Sequence, residues 1–413
     1  MASRFQAPRG TFDVLPEQAR ARGRLEATAA ATFARAGYEP IATPAFEDTD
    51  LFERGVGRST DIVRKEMFTF EDKGGRSLTL RPEGTASICR AYLEHGMQKL
   101  AQPVKLFYLG PFFRHERPQA GRYRQFHQLG VECIGADSPL ADAEAIMLLS
   151  DLLGELGVPG VELRLGSLGS FAARRAYLED LKAHLRAHEA ELSKEVRERI
   201  EINPLRAFDA DDEGTRGVMA SAPTIVERLE DEDAEHFEEV RALLDAAGIA
   251  YGVDPTLVRG LDYYTRTIFS FVCDRLGAQS EIGGGGRYDG LIEQLGGAPT
   301  PAVGFAAGIE RILLALEEEA PPPGRDAFLA IADPSQRRRA MALATELRRA
   351  GLSAEVDLAG RGLKGQLKHA DRIGARRVLI LDADGAQLRE MGTGEQRPVD
   401  PGNLVEVMKG AEP

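Results

Sequence analysis

An alanine-rich run from Pro16 to Arg35 has the pattern of a helix, with Pro16 in its first turn and Gly37 as its stop. The segment YEPIATPAFE that follows reads as a strand. Pro44 within it cannot donate to a ladder, which predicts an edge or interface position. From Met67 to Arg90 two alternating strands flank a turn at Gly74 and Gly75, and the string RPEGT then opens a helix over Thr85 to Leu93. The densest aromatic pattern is FYLGPFFRHERPQAGRYRQFHQLGVECIG, Phe107 to Gly135. It predicts a second hairpin, with an aromatic arm to Arg114 and a loop over His115 to Gly121 that holds Pro118 and Gly121. In its second arm a period of two puts Arg124, Phe126, Gln128, Gly130 and Glu132 on one face. Tyr123, Gln125, His127, Leu129, Val131 and Cys133 take the other.

Residues 171–250 change texture to long helical runs rich in Glu, with an acidic block from Glu230 to Asp233 that reads as a solvated helix face. This predicts a helical insertion. Leu257 to Phe271, LVRGLDYYTRTIFSF, returns to strand chemistry behind a turn at Gly260. EIGGGGRYDGL packs four glycines ahead of Arg287 and Tyr288, and AVGFAAGIERILLAL passes from apolar strand to amphipathic helix at Gly308. The charge and proline of EEEAPPPGRD, 317–326, mark a linker. Beyond it FLAIA, a basic helix from Gln336 to Ala350, LSAEVDL, a helix around Leu363 to Ile373 and RVLIL alternate as strand and helix. That pattern predicts a small α/β domain with a mostly parallel sheet. The expected organisation is α+β, with a core over 1–320 interrupted at about 171–250 and a separate domain over 326–413.

At 413 residues the chain has room for two or three cores. No apolar run approaches the roughly 20 residues of a membrane helix, and MASRFQAPRGTFDVLPEQ lacks an apolar signal core, so a cytoplasmic protein with no membrane partner is expected. Cys89, Cys133 and Cys273 are scattered, without metal-ligand spacing, and read as buried thiols. A net charge of −13 argues against indiscriminate nucleic-acid binding. The charge is segregated, however: from Arg325 onward 15 Lys and Arg stand against 13 Asp and Glu. Any RNA contact must be local.

Several residues invite a chemical reading beside a plainer one. The face of Arg124, Phe126, Gln128, Gly130 and Glu132 is either a solvated sheet face or a bed for a small polar ligand, with Gly130 admitting it close to the strand. Arg114 at the loop edge favours the second, since a guanidinium there suits phosphate or carboxylate. Glu83, Gly84 and Thr85 sit at a helix entrance, where a glutamate is either a dipole partner or a ligand contact. Arg259, followed by Asp262, Tyr263 and Tyr264, is a surface turn pinned by an ion pair or a working cation. The glycine run is a flexible loop or a bare backbone where a ligand approaches, and it lacks the spacing of a phosphate-cradling Walker loop. Arg311 lies in a first helical turn, where a cation is unfavourable unless an anion is near. Arg361, Lys364, Lys368 and Arg372 recur at spacings of three and four, giving one helix face that is solvated or meets phosphates.

The string FRHERPQAGRYRQFHQLGVE resembles motif 2 of the class II aminoacyl-tRNA synthetases in the form found in the histidyl-tRNA synthetase family. LVRGLDYYT resembles a signature of that family, RPEGT its amino-acid-binding turn, GIER motif 3, and the proline-bearing strand motif 1. The resemblance implies an antiparallel sheet flanked by helices, a helical insertion facing the tRNA acceptor arm, a C-terminal α/β anticodon-binding domain and a homodimer. It also implies residue roles. Glu83, Gly84, Thr85, Gln128, Glu132, Arg259, Tyr263, Tyr264 and Tyr288 would bind L-histidine. Arg114, Arg122, Phe126 and Arg311 would bind ATP, with Phe126 on adenine and Arg311 at the γ-phosphate, and Arg259 and Arg114 would be catalytic at the α-phosphate. ATP with Mg²⁺, L-histidine and tRNA(His) are then the expected substrates, with no metal held by the protein itself. The same fold also serves a catalytically inactive regulatory subunit of histidine biosynthesis. That alternative ordinarily lacks the arginine signature and the C-terminal domain, both of which this sequence has.

Overall fold

In a computed structural model that describes residues 5–316 and 324–410, the chain divides into two compact units, residues 1–319 and 320–413. Most of the sequence-predicted linker, 317–323, lies outside the described residues.

Helix α1, Pro16–Arg35, forms as its alanines and proline dictate, and Gly37, at φ 81°, ends it. The predicted strand after it does not form as one piece. Glu39–Pro40 (β1) and Phe46–Asp48 (β2) belong to different sheets, with Pro44 in the gap. Buried Arg81 accounts for the break, because its Nη1 takes the Thr43 carbonyl at 2.9 Å and its backbone N–H the Ala45 carbonyl at 3.0 Å. Helix α2, Thr49–Gly55, leads to the hairpin β3, Phe68–Glu71, and β4, Ser77–Leu80, which turns through Gly74 and Gly75 as predicted and pairs with β2. Helix α3, Thr85–Glu94, follows RPEGT.

The long hairpin is strands β5, Val104–Phe113, and β6, Gln125–Ile134, paired antiparallel along their whole length. Next come helix α4, Pro139–Glu155, and strand β7, Val161–Ser167. The predicted insertion is helical: α5, Phe171–Ala187; α6, Lys194–Arg199; α7, Glu213–Met219; and α8, Asp231–Ala246. Its packing divides it. Tyr177, Leu181, Leu185, Val196, Val218 and Ile225 form a core of their own, whereas Phe237, Val240 and Leu244 of α8 join the main one.

Strands β8, Gly252–Val253, and β9, Thr265–Cys273, precede β10, Glu281–Arg287, and a short α9, Leu291–Gln294. Strand β11, Ala302–Gly308, then runs into α10, Ile309–Leu316. The main sheet has the order β1-β5-β6-β11-β10-β9-β7-β8, antiparallel except at its two outer pairings. Helices α1, α4, α8 and α10 cover one face through Phe33, Leu149, Val240 and Ile312, all fully buried. A buried aliphatic or aromatic side chain of this kind contributes about 1.5–3 kcal/mol. Leu129, Val131 and Cys133 point into that face, and Phe126 and Gln128 of the alternate set line a cavity on the other; the alternation holds within β6 but not ahead of it, where Tyr123 rather than Arg124 lines the cavity. The three cysteines are free and buried.

The second unit is a sheet of order β13-β12-β14-β15-β16 among its described residues. In chain order it runs β12, Ala327–Ile331; α11, Arg337–Arg349; β13, Ala354–Val356; α12, Leu363–Arg372; and β14, Arg377–Leu381. The first three strands are parallel, as predicted. The antiparallel addition β15, Ala386–Glu390, with β16, Gln396–Pro398, was not anticipated. Helix α13, Leu404–Lys409, closes the unit. Arg361 does not share a helix face with Lys364, Lys368 and Arg372, since it precedes α12 and pairs with Asp357 at 2.6 Å.

Candidate active site

On the open face of the main sheet lies a cavity of about 150 Å³. At one end α3 begins, and the helix entrance explains how Glu83 is held. Its two oxygens accept from the backbone N–H of Thr85 at 2.8 Å and of Ala86 at 2.9 Å, so the dipole-partner reading is correct as far as it goes. The same carboxylate is 4 % exposed, lines the cavity and accepts from the Tyr263 hydroxyl at 3.4 Å. Burial raises its pKa against those hydrogen bonds. Gly84, Thr85, Gln128, Tyr263, Tyr264 and Tyr288 line the same end.

Glu132 lies one layer below this wall. It accepts from Thr85 Oγ1 at 2.8 Å and from the Tyr288 hydroxyl at 2.5 Å, and burial pushes its carboxyl up to about 8. Gly130 does not line the cavity, contrary to the place the sequence suggested for it beside a ligand. A Cβ there would meet the Phe305 carbonyl oxygen of the neighbouring strand at 2.3 Å and the Tyr108 hydroxyl at 2.5 Å, so its missing side chain makes room for that strand and that ring. Tyr108 lines the cavity and was not anticipated. Its hydroxyl, Gln128 Oε1 and Arg259 Nε are buried polar atoms that the protein leaves without a hydrogen bond.

The other end is cationic. Arg114 emerges from the end of β5, donates Nε to the Pro82 carbonyl at 2.9 Å and lies 5.4 Å from the centre of the Phe126 ring. Glu116, which sequence reasoning passed over, stands between Arg122, its ion-pair partner, and Arg114 at 3.8 Å. Arg311 spans the hairpin loop and β10, with Nε on the Gly121 carbonyl at 2.9 Å and Nη1 on the Glu281 carbonyl at 2.7 Å. Those carbonyls accommodate a cation in the first turn of α10, and burial lowers its pKa. Its neighbour Glu310 clamps the backbone N–H of His127 at 2.9 Å, fixing β6 between Phe126 and Gln128 where β11 has already ended.

Arg259 is paired, but not at the surface. Its Nη1 donates to Glu281 at 2.7 Å, its guanidinium lies 5.8 Å from the Tyr264 ring centre, and its side chain is 13 % exposed. The glycine run is neither loop nor turn but strand β10, between β9 and β11. Its glycines admit neighbouring atoms, and at Gly284 a Cβ would meet Arg259 Nη1 at 2.8 Å. Behind Tyr288, buried Arg287 donates to Asp142 at 2.5 Å, and His236 meets the other oxygen of that carboxylate at 2.7 Å. Burial would raise the Asp142 pKa, but the His236 hydrogen bond and the Arg287 charge outweigh it and hold the carboxyl below its usual range.

Of the residues to which the resemblance gives a role toward histidine or ATP, all but Glu132 line this one cavity, whereas Arg124, Gly130 and Asp262, also singled out in the sequence, do not. A pocket with arginines at one end and carboxylates and tyrosine hydroxyls at the other can orient a zwitterionic amino acid against a polyphosphate. The described residues contain no group of three or more His, Cys, Asp or Glu placed to hold a metal, and no helix long and apolar enough to cross a membrane.

Comparison with known proteins points the same way. The family profile described as Histidyl-tRNA synthetase matches residues 10–312, and that described as Anticodon binding domain matches 326–410. The chain is 48 % identical over 413 residues to a histidine--tRNA ligase of Halothermothrix orenii, covering 98 % of this chain and 99 % of that one. It is 49 % identical over 399 residues to the corresponding ligase of Anaeromyxobacter dehalogenans, at 95 % and 96 % coverage. The structure is similar to that of apo S. aureus histidyl-tRNA synthetase, with a TM-score of 0.83 and 38 % identity over 98 % of this chain and all of the other.

Proposed function

Because the chain belongs to the histidyl-tRNA synthetase family and attaches histidine to tRNA, we propose that it does so through a histidyl-adenylate formed in the cavity of the main sheet. The observation that carries this reading is the convergence of Arg114, Arg259 and Arg311 on a pocket whose far end is lined by Glu83, Gln128 and tyrosines. In this reading Glu83 receives the α-amino group. Gln128, Tyr263, Tyr264 and Tyr288 surround the imidazole with Gly84 and Thr85, and Glu132 is set with them through its bonds to Thr85 and Tyr288. Phe126 stacks on adenine, Arg122 meets ATP from the loop, and Arg311 holds the γ-phosphate.

The histidine carboxylate attacks the α-phosphorus, pyrophosphate leaves, and the ribose hydroxyl at the tRNA end then takes the acyl group. Arg114 and Arg259 neutralise charge as it gathers on the α-phosphate, so positioning and electrostatics carry both steps without a covalent enzyme intermediate. Glu116, Glu281 and Glu310 are already engaged by Arg122, Arg259 and His127 and do not make a metal cage. Mg²⁺ is accordingly assigned to the phosphates of ATP.

We also assign residues 1–320, with the insert at about 171–250, to catalysis and 326–413 to the anticodon of tRNA(His). The protein is proposed to be a cytoplasmic homodimer, and the exposed Phe46 and Phe70, whose ring centres are 6.1 Å apart, supply apolar surface suited to a partner. The test is histidine-dependent exchange of pyrophosphate into ATP. A regulatory relative without catalysis would give none, and that result would overturn the proposal.

A further inference from the structure

The segment that carries Arg259, Tyr263 and Tyr264 is gripped from the insert at two points that touch no reacting atom. Arg174, in the first turn of α5, is buried; it donates Nη2 to the Tyr264 carbonyl and Nε to the Leu168 carbonyl at 3.2 Å. Burial lowers its guanidinium to about 10, while the charges of Asp262 and Asp233 act the other way. Asn203, ahead of the turn Pro204–Asp209, donates Nδ2 to Asp262 Oδ1 at 3.1 Å, and the Ser59 hydroxyl takes the other oxygen of that carboxylate. Arg199 of α6 pairs with Asp61 at 2.8 Å, so the insert holds the core loop after α2 as well.

Residues 257–264 have no regular secondary structure, and Asp262 N–H meets the Val56 carbonyl only at 3.4 Å. Side chains, rather than a ladder, therefore decide where this segment sits. Two of those side chains belong to the insert.

We propose that the insert is part of the activation site itself: Arg174 and Asn203 are positioning residues that set Arg259, Tyr263 and Tyr264 for adenylate formation before any tRNA is bound. This rests on the reading of Arg259 as an activating cation, and the experiment separates the two. Pyrophosphate exchange without tRNA is measured on the full chain carrying Asn203→Ala, Arg174→Lys, Arg259→Ala, Arg186→Ala, or Asn203→Ala's counterpart, the double exchange Asn203→Asp with Asp262→Asn. Asn203→Ala and Arg174→Lys are expected to lower kcat by about tenfold to 10²-fold, the scale of a small misplacement of a catalytic group, with the KM for ATP little changed. The double exchange reverses donor and acceptor and should recover most of the loss.

Arg186 pairs with Glu201 on the exposed side of the insert, and Arg186→Ala should leave the rate alone. If Arg174→Lys fails to fold, Asn203→Ala carries the test. Unchanged exchange in Asn203→Ala while Arg259→Ala is slow overturns this inference and spares the Arg259 reading. A double exchange as slow as Asn203→Ala, or an equal loss in Arg186→Ala, overturns it too. A normal rate in folded Arg259→Ala overturns the underlying reading.

Discussion

The two ends of the cavity hold their polar groups in opposite ways. At the end proposed for the amino acid, Glu83, Thr85, Glu132, Tyr263 and Tyr288 are buried and bonded mainly to one another or to the backbone, leaving Tyr108 Oη and Gln128 Oε1 unmatched. At the cationic end Arg259 and Arg122 rest on Glu281 and Glu116, and Glu281 and Arg122 are 42 % and 38 % exposed. A closed network rejects a ligand that cannot complete it, because each unmatched buried group carries its full desolvation cost. Arginines with displaceable partners can instead shift to charge that appears during reaction. The first arrangement suits selection and the second suits rate.

The largest effect should come from testing selection. Phenylalanine, which fills a similar volume without ring nitrogens, should be activated with kcat/KM about 10⁴-fold below histidine, as expected when a hydrogen-bonding pocket is left unpaired. Comparable activation of the two amino acids would remove the distinction between the ends. Next in size is Arg259→Ala, expected to slow single-turnover adenylate formation by about 10² to 10³ while histidine affinity changes far less. Lysine should restore only part of the rate, since a point charge lacks the guanidinium fork. Were histidine affinity to fall as much as the rate, Arg259 would belong to the selective end.

Glu132 sharpens the contrast through pH. Its carboxyl is raised to about 8 from an ordinary 4.5, so the folded chain holds this proton more tightly than the unfolded chain does. The contribution is complete below about 4.5 and is lost as pH rises through about 8. Glu132→Gln keeps a neutral side chain at every pH and should flatten the decline in Tm between those limits. Parallel melting profiles for the two proteins would show that this carboxyl does not titrate as its burial requires. The smallest effect is expected at Arg122, whose side chain is 38 % exposed, so that a charge contact it makes to ATP is screened by water and worth about 1 kcal/mol or less. Arg122→Ala should raise the KM for ATP about fivefold or less, measured at saturating histidine.

Much of this was legible in the chain because period and punctuation act locally. Pro16 and Gly37 bound α1, Gly74 and Gly75 turn their hairpin, and the alternation along β6 separates Phe126 and Gln128 from Leu129 and Val131. What escaped depends on neighbours distant in sequence. The strand expected around Pro44 was broken by Arg81, 37 positions after that proline, and the acidic run of α8 hid a face that joins the main core. The antiparallel pair β15–β16 lacks the β-branched density that marks β14, and its short, polar strands gave no period to read.

The sequence by itself put forward the residues of the candidate site: alternation set Phe126 and Gln128 on one face of β6, and the resemblance to synthetase motifs implied roles for Glu83, Arg114, Gln128, Arg259, Tyr264 and Arg311. Tertiary structure alone decided how each is held. Gly130 and Gly284 accommodate Tyr108 and Arg259, Glu132 lies behind Thr85 and Tyr288, and the insert grips the segment from Arg259 to Tyr264. The reason is that burial and hydrogen-bond partnership are properties of atoms that meet only when strands and helices far apart in the chain pack together.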